Sequence, residues 1–178
     1  MSFQIIDFES CASIKVVGVG GAGGNAINRM VQSGMHGVEF IAVNTDNQDL
    51  EVSAADHCLC IGESVTRGLG AGAKPEIGRQ SIEEDRDKVA ERLADTDLVF
   101  ITAGMGGGTG TGAAPVVAQI AKEQGALAVG TVTEPFQFEG FPRMRNAQAG
   151  IAELQEYVDT LIVIKNQRLL QVCSRDTT

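Results

Sequence analysis

Apolar runs alternate with segments of helical periodicity along most of this chain. Six of the runs predict strands, at residues 14–20, 38–44, 57–61, 98–101, 126–132 and 161–164. They are almost continuously apolar, whereas a strand with one face in water alternates apolar and polar residues. We therefore expect most of these strands to be buried on both faces of their sheet.

The segments between the strands predict helices, at residues 25–33, 75–94, 113–121 and 143–157, with another beginning at 166–172. Gly34 and Gly125 end two of them, and Pro75 suits a first helical turn. Strands that alternate with helices predict an α/β fold, doubly wound, with helices on both faces of a mostly parallel six-stranded sheet. One domain is expected over residues 13–173, after a flexible leader at 1–12 and before a polar tail at 174–178.

Composition and charge narrow the classes of partner. With 43% hydrophobic and 21% charged residues, the chain resembles a soluble globular protein. Its net charge of −9 argues against attraction to nucleic acid or to an anionic membrane. No apolar run is long enough for a signal peptide or a membrane span, which predicts a cytoplasmic protein without membrane insertion.

The cysteines and histidines do not indicate a metal site. Four cysteines include no C-x-x-C pair, and His36 and His57 stand apart, so a zinc site is not expected. Cys58 and Cys60 alternate along a predicted strand, and we interpret them as small core residues.

Residues 104–112 form a glycine-rich segment between the predicted strand 98–101 and the predicted helix 113–121. The first N–H groups of a helix have no partner within the helix, and its dipole favours negative charge there. Glycines let an anion approach the backbone closely, and Thr109 and Thr111 add hydroxyl donors. A flexible linker is the alternative, but linkers rarely lie directly between a buried strand and an amphipathic helix. We therefore predict an anion-binding loop.

Two more glycine-rich loops, at residues 18–24 and 68–72, are expected at the same sheet edge. The first contains G-x-G-x-x-G, which alone is compatible with NAD or FAD and with Asp46 as a ribose-binding acid. A dinucleotide needs only one such loop, so three loops favour a chain of phosphates. No Gly-Lys pair occurs, so a P-loop is absent and backbone N–H groups, helix dipoles and Mg²⁺ would have to offset the phosphate charge.

The segment GGGTGTG at residues 106–112 resembles the signature loop shared by tubulins and the bacterial cell-division GTPases of the FtsZ type. Segments 15–26, 43–46, 66–72 and 135–143 resemble the same family in order and spacing, so the likeness covers about residues 14–172. It implies a Rossmann-like GTPase domain that binds GTP or GDP with Mg²⁺. It further implies head-to-tail polymerisation with other FtsZ subunits, and a cytokinetic ring with division-ring proteins at the division site.

The resemblance also assigns residues to a GTP site. Around the phosphates it implies Gly20, Gly21, Ala22, Gly23, Gly24, Asn25, Ala71, Gly72, Gly104, Gly107, Gly108, Thr109 and Gly110. Near the ribose and α-phosphate it implies Thr133, Pro135, Glu139 and Arg143, with Asn44 by the sugar and phosphates and Asn166 at the guanine. Without the resemblance, Glu139 and Arg143 could be a solvated pair four residues apart, and Asn25 and Asn166 could be helix caps.

In the family this domain is followed by a central helix, an acidic loop that positions the attacking water, and a second domain. None has a position in this sequence, so no catalytic residue is assigned, and we expect GTP binding with poor hydrolysis by the chain alone. Without the central helix we also expect exposed apolar surface and self-association. An NAD(P)-dependent oxidoreductase and an interaction module that binds no nucleotide stay as alternatives.

Overall fold

A computed structural model describes residues 12–172 and contains one six-stranded sheet. The predicted tail at 174–178 and, apart from Ala12, the predicted leader at 1–12 lie outside the described residues. The strands are β1 (Ile14–Val19), β2 (Glu39–Asn44), β3 (His57–Cys60), β4 (Leu98–Gly104), β5 (Leu127–Glu134) and β6 (Thr160–Lys165). All neighbouring pairs are parallel, in the order β3-β2-β1-β4-β5-β6, which confirms the predicted α/β class.

Helices connect the strands on both faces of the sheet. They are α1 (Gly20–Gln32), α2 (Asn47–Glu51), α3 (Glu63–Thr66), α4 (Pro75–Glu84), α5 (Arg86–Leu93), α6 (Thr109–Glu123), α7 (Phe141–Gln155) and α8 (Asn166–Val172), with a 3-10 turn at Gln137–Glu139. The short helices α2 and α3 were not predicted, because four or five residues do not complete an apolar period.

Three predicted helix boundaries are wrong. Helices α1 and α6 begin at Gly20 and Thr109, inside the glycine-rich segments, and not at residues 25 and 113. The single helix predicted at 75–94 is two helices that meet at Asp85. The buried carboxylate of Asp85 accepts a 2.8 Å hydrogen bond from the N–H of Gly62, which ties this junction to the segment after β3.

The core has two parts because alternate residues of each strand point to opposite faces. On one face, residues such as Val17 and Ile101 pack with helix α6. On the other, Val16 and Phe40 pack with Ile27 of α1. Helices on both faces therefore confirm the doubly wound arrangement.

The edges of the sheet are more open than its centre. On β6, Ile162 is 49% exposed and Ile164 is 37% exposed. This agrees with the expected exposed apolar surface, while self-association stays a prediction. The interpretation of the β3 cysteines as core residues is wrong for Cys58, which is exposed because β3 is an edge strand. Within residues 12–172, no helix combines the length and the apolar character needed to cross a membrane.

Candidate functional site

A cleft of about 520 Å³ opens at the carboxyl ends of β1 and β4. These two strands are neighbours in the sheet, but β2 and β3 follow β1 on one side of the pair, whereas β5 and β6 follow β4 on the other. Helix α1 starts at Gly20, directly after β1, and helix α6 starts at Thr109, five residues after β4 ends. Both helices therefore direct unpaired N–H groups and the positive ends of their dipoles toward this edge. Open α/β sheets bind ligands at such switch points.

Most residues that the sequence assigns to a nucleotide site line this cleft. They come from all three glycine-rich loops, from the ends of β2 and β5, from the segment between β5 and α7, and from the starts of α7 and α8. The set is Gly20, Gly21, Ala22, Asn44, Ala71, Gly72, Gly104, Gly107, Gly108, Thr109, Gly110, Thr133, Pro135, Glu139, Arg143 and Asn166. Folding thus brings distant segments of the chain to one cavity.

Gly23, Gly24 and Asn25 do not line the cleft. Because α1 begins at Gly20, these residues lie further along the helix instead of in a loop. Gly23 is buried, and a Cβ atom there would lie 2.5 Å from the Thr102 carbonyl oxygen, so its smallness lets α1 pack on the sheet. Gly24 and Asn25 line a small adjacent pocket of about 20 Å³. Their assignment around the phosphates stays a prediction.

Glycine has a distinct role at two cleft positions. Gly20 has φ +71°, and a Cβ atom there would lie 3.0 Å from the backbone nitrogen of Gly110. A larger residue at position 20 would therefore strain the turn and separate the two helix starts. A Cβ atom built on Gly107 would have no heavy atom of another segment within 4 Å. A side chain at this position would therefore occupy open space in the cleft.

Buried hydrogen bonds hold the polar wall of the cleft. The Asn44 side chain accepts from the N–H of Thr45 at 2.8 Å and donates to Asp49 Oδ2 at 2.9 Å. The Thr45 and Thr109 hydroxyls are 2.7 Å apart and buried, which links the end of β2 to the first residue of α6. These hydrogen bonds connect β2, α2 and α6 at the cleft.

Glu139 and Arg143 form an ion pair and also line the cleft. Glu139 Oε2 lies 3.0 Å from the Arg143 guanidinium, and Glu139 Oε1 accepts from the N–H of Phe136 at 2.8 Å. The Arg143 side chain is 51% exposed, so its donors remain accessible from the cleft. The two interpretations of this pair, a surface ion pair and a site pair, are therefore compatible. Asn166 is the first residue of α8 and also lines the cleft.

The cleft also contains residues that were not assigned from the sequence. They are Val19, Asp46, Asp49, Leu69, Gly70 and Met105. The sequence suggests a role for Asp46 only as a ribose-binding acid of an oxidoreductase. It caps α2 by accepting from the N–H of Gln48 at 3.0 Å, and it pairs with Leu69 in an antiparallel bridge. Asp49 lies in the unpredicted helix α2, and a search for carboxylates soon after the end of β2 would have found it.

Among the residues that the structure describes, the charged side chains of the cleft are three carboxylates, Asp46, Asp49 and Glu139, and one guanidinium, Arg143, and no lysine lines it. Within residues 12–172, no three His, Cys, Asp or Glu side chains are grouped so that they could hold a metal ion. Any anion here therefore depends on backbone N–H groups, helix dipoles, Arg143 and added cations.

Comparisons with known proteins agree with this architecture. The model of the Tubulin/FtsZ family, GTPase domain, matches residues 13–174. An empty FtsZ dimer from M. jannaschii is 46% identical, with a TM-score of 0.92, and the match covers 96% of this chain and 50% of that one. GDP-bound CetZ1 from Haloferax volcanii is 28% identical, with a TM-score of 0.82, over 93% of this chain and 54% of that one. CetZ from Methanosaeta thermophila is 27% identical, with a TM-score of 0.79, and the match covers 91% of this chain and 48% of that one. The chain spans about half the length of these relatives.

Proposed function

We propose, from the premise that this chain belongs to the Tubulin/FtsZ family, that its cleft binds GTP and GDP. The observation that carries the proposal is the convergence of three glycine-rich loops and two helix N-termini on one cavity, in which the described part of the chain places no lysine. The GDP bound to CetZ1, which is 28% identical, supports a guanine nucleotide as the ligand.

In this proposal the backbone holds the phosphates and side chains hold the nucleoside. N–H groups at the starts of α1 and α6 and in the segment 71–72 would donate to phosphate oxygens. Glu139 would accept from ribose hydroxyls, and Arg143 would reach the α-phosphate side. Asn166, at the same end of the cleft as β6, would contact the guanine.

Magnesium is part of the proposal, and the donor set fits it. Mg²⁺ prefers oxygen ligands and usually binds through one or two carboxylates together with substrate phosphates. Asp46 and Asp49 supply carboxylates at the cleft wall, too few to hold the ion without a nucleotide. When bound, the ion would offset the charge of the polyphosphate.

The activity proposed at the family level is GTP hydrolysis coupled to head-to-tail polymerisation in cytokinesis. The FtsZ dimer at 46% identity supports association with further FtsZ-type subunits. We assign no catalytic residue within this chain, and we expect slow hydrolysis by the chain alone. Action in the cytoplasm at the division site, with other division-ring proteins, belongs to the same proposal.

A titration with GTP, GDP, ATP and NAD tests the ligand. Binding of GTP and GDP in preference to ATP and NAD is expected, measured by calorimetry on the purified chain. Binding of NAD alone would favour the alternative, an NAD(P)-dependent oxidoreductase, whose support is the G-x-G-x-x-G segment at 18–23. The absence of any binding would favour an interaction module.

A mixing experiment tests whether GTP hydrolysis needs groups from the second half of an FtsZ-type protein. A polypeptide that supplies the second half of an FtsZ relative is added to this chain, and phosphate release from GTP is followed. Turnover that rises well above that of either piece is expected. A folded complex without turnover would contradict the proposed distribution of catalytic groups.

A further inference from the structure

We propose that Asp49 makes this cleft select the divalent-cation complex of a nucleoside polyphosphate over the free polyphosphate anion. The inference rests on the proposed nucleotide-binding function and adds a specificity-determining residue to it. Three features carry it: the charge balance of the cleft, the position of Asp49 beside the first glycine-rich loop, and the hydrogen bond that orients its carboxylate.

The charge balance of the cleft is unusual for a polyphosphate site. Within residues 12–172, three carboxylates line it against one guanidinium, and that guanidinium is already paired with Glu139 at 3.0 Å. The chain as a whole carries −9, so no long-range field offsets this balance. A free polyphosphate anion entering the cleft meets net repulsion from side chains, while backbone N–H groups attract it. A cation bound to the phosphates offsets the repulsion from the side chains and leaves the attraction to the backbone N–H groups.

Asp49 is the carboxylate that lies against the loop at the start of α1. A Cβ atom on Gly21 would lie 2.9 Å from Asp49 Oδ2, so the carboxylate reaches the backbone of that loop. Any phosphate bound by the N–H groups at this end of α1 would therefore lie close to a negative charge. At such separations the interaction is strong enough to change an affinity by about tenfold.

Asp49 is exposed, and a hydrogen bond from the buried Asn44 orients its carboxylate. Its Oδ2 atom accepts a 2.9 Å hydrogen bond from Asn44 Nδ2, and Asn44 is only 4% exposed. Asn44 is itself held by the N–H of Thr45 at 2.8 Å. The negative charge is thus oriented by the buried wall of the cleft. Asp46 differs, because its carboxylate caps α2 and already accepts from the N–H of Gln48.

The test compares GTP affinity with and without Mg²⁺ in the full chain. The dissociation constant is measured in EDTA and in saturating Mg²⁺ at matched ionic strength, because salt screens such charges. The variant is Asp49→Asn, which keeps an oxygen acceptor for Asn44 and removes the charge. Glu51→Gln is the matched control, since Glu51 is an exposed carboxylate on the same helix that does not line the cleft.

In EDTA, we expect Asp49→Asn to bind GTP about tenfold more tightly than the wild type does. The ratio of the dissociation constant in EDTA to that in Mg²⁺ should therefore be about tenfold smaller in the variant than in the wild type. Glu51→Gln should keep the wild-type ratio of the two dissociation constants. If Asp49→Asn does not fold, as judged by thermal unfolding, Asp49→Ala is expected to give the same change in the ratio.

Two results would overturn the role of Asp49 while leaving the nucleotide site intact. One is an unchanged Mg²⁺ ratio in a folded Asp49→Asn variant that binds GTP. The other is an equal change in Glu51→Gln, which would indicate a general effect of net charge. Failure of every protein to bind a guanine nucleotide, with or without Mg²⁺, would instead overturn the proposed function itself, and this inference with it.

Discussion

Substitution of Gly107 by leucine should block the nucleotide cleft without disturbing the fold. A Cβ atom built at this position would have no heavy atom of another segment within 4 Å, and the φ angle of Gly107 is outside the left-handed region. A leucine side chain can therefore extend into the cleft of about 520 Å³ without a clash with the protein. It would occupy the volume in front of the N–H groups that precede α6.

The size of the effect follows from the hydrogen bonds that the side chain would displace. Each N–H bond to a charged oxygen contributes about 1.5–3 kcal/mol. If phosphates move away from the N–H groups of Gly107 and Gly108, the loss is about 3–6 kcal/mol, or about 10²–10⁴-fold in the dissociation constant. The free energy of unfolding should change by only about 0.5 kcal/mol, because the new side chain contacts no packed group.

The assay is the dissociation constant of GTP and GDP by calorimetry, with far-UV circular dichroism and urea unfolding to verify the fold. Gly107→Ala adds one methyl group and should cost about tenfold or less in affinity. Ala152→Leu is the matched control, because Ala152 is exposed on α7 and does not line the cleft. A folded Gly107→Leu variant with wild-type affinity for both nucleotides would refute the assignment of the loop.

Three further outcomes are expected. Thr45→Val and Thr109→Val each leave a buried hydroxyl without its partner, so each should lower the free energy of unfolding by about 1–3 kcal/mol in urea titrations. The double variant should lose less than the sum, and strict additivity would contradict the coupling. Burial, reinforced by the carboxylates of nearby residues, raises the pKa of the Cys60 thiol, so less thiolate forms near pH 8. Peptide mapping should therefore show iodoacetamide modifying Cys60 more slowly than the exposed Cys58, with the Cys60 rate rising at higher pH; equal rates would contradict this. Ile162→Lys should reduce self-association in sedimentation with little change in stability, because Ile162 is 49% exposed, and a wild type that is monomeric at all concentrations would contradict the prediction.

The local pattern of the sequence was sufficient for the sheet and for the glycine-rich loops. Parallel strands that are covered on both faces are apolar along their length, which identified the central strands. The edge strands β3 and β6 are also apolar runs and were found although they are partly exposed, and several strand ends shifted by a few residues. The loops were found because glycines cluster in the turns that separate predicted strands from predicted helices. The same local signals failed at the starts of α1 and α6, because the glycines were interpreted as loop residues although they begin the helices.

Hydrogen bonds and close packing between distant segments explain what the sequence could not predict. Asp85 divides a predicted helix because its carboxylate is bound by the N–H of Gly62. The sequence places Gly23 only in a glycine-rich loop, whereas the structure also packs it against the carbonyl of Thr102 on a neighbouring strand. Neither contact leaves a signature in the residues beside it.

The sequence by itself determined the class of fold and the positions of the glycine-rich loops, because both follow from local periodicity and from glycine. Only the tertiary structure decided which residues share the cleft, including Asp49, and which face inward or outward at its rim. The reason is physical: the charge and shape of a cavity come from segments that the sheet order brings together, and that order is set by packing across the whole domain.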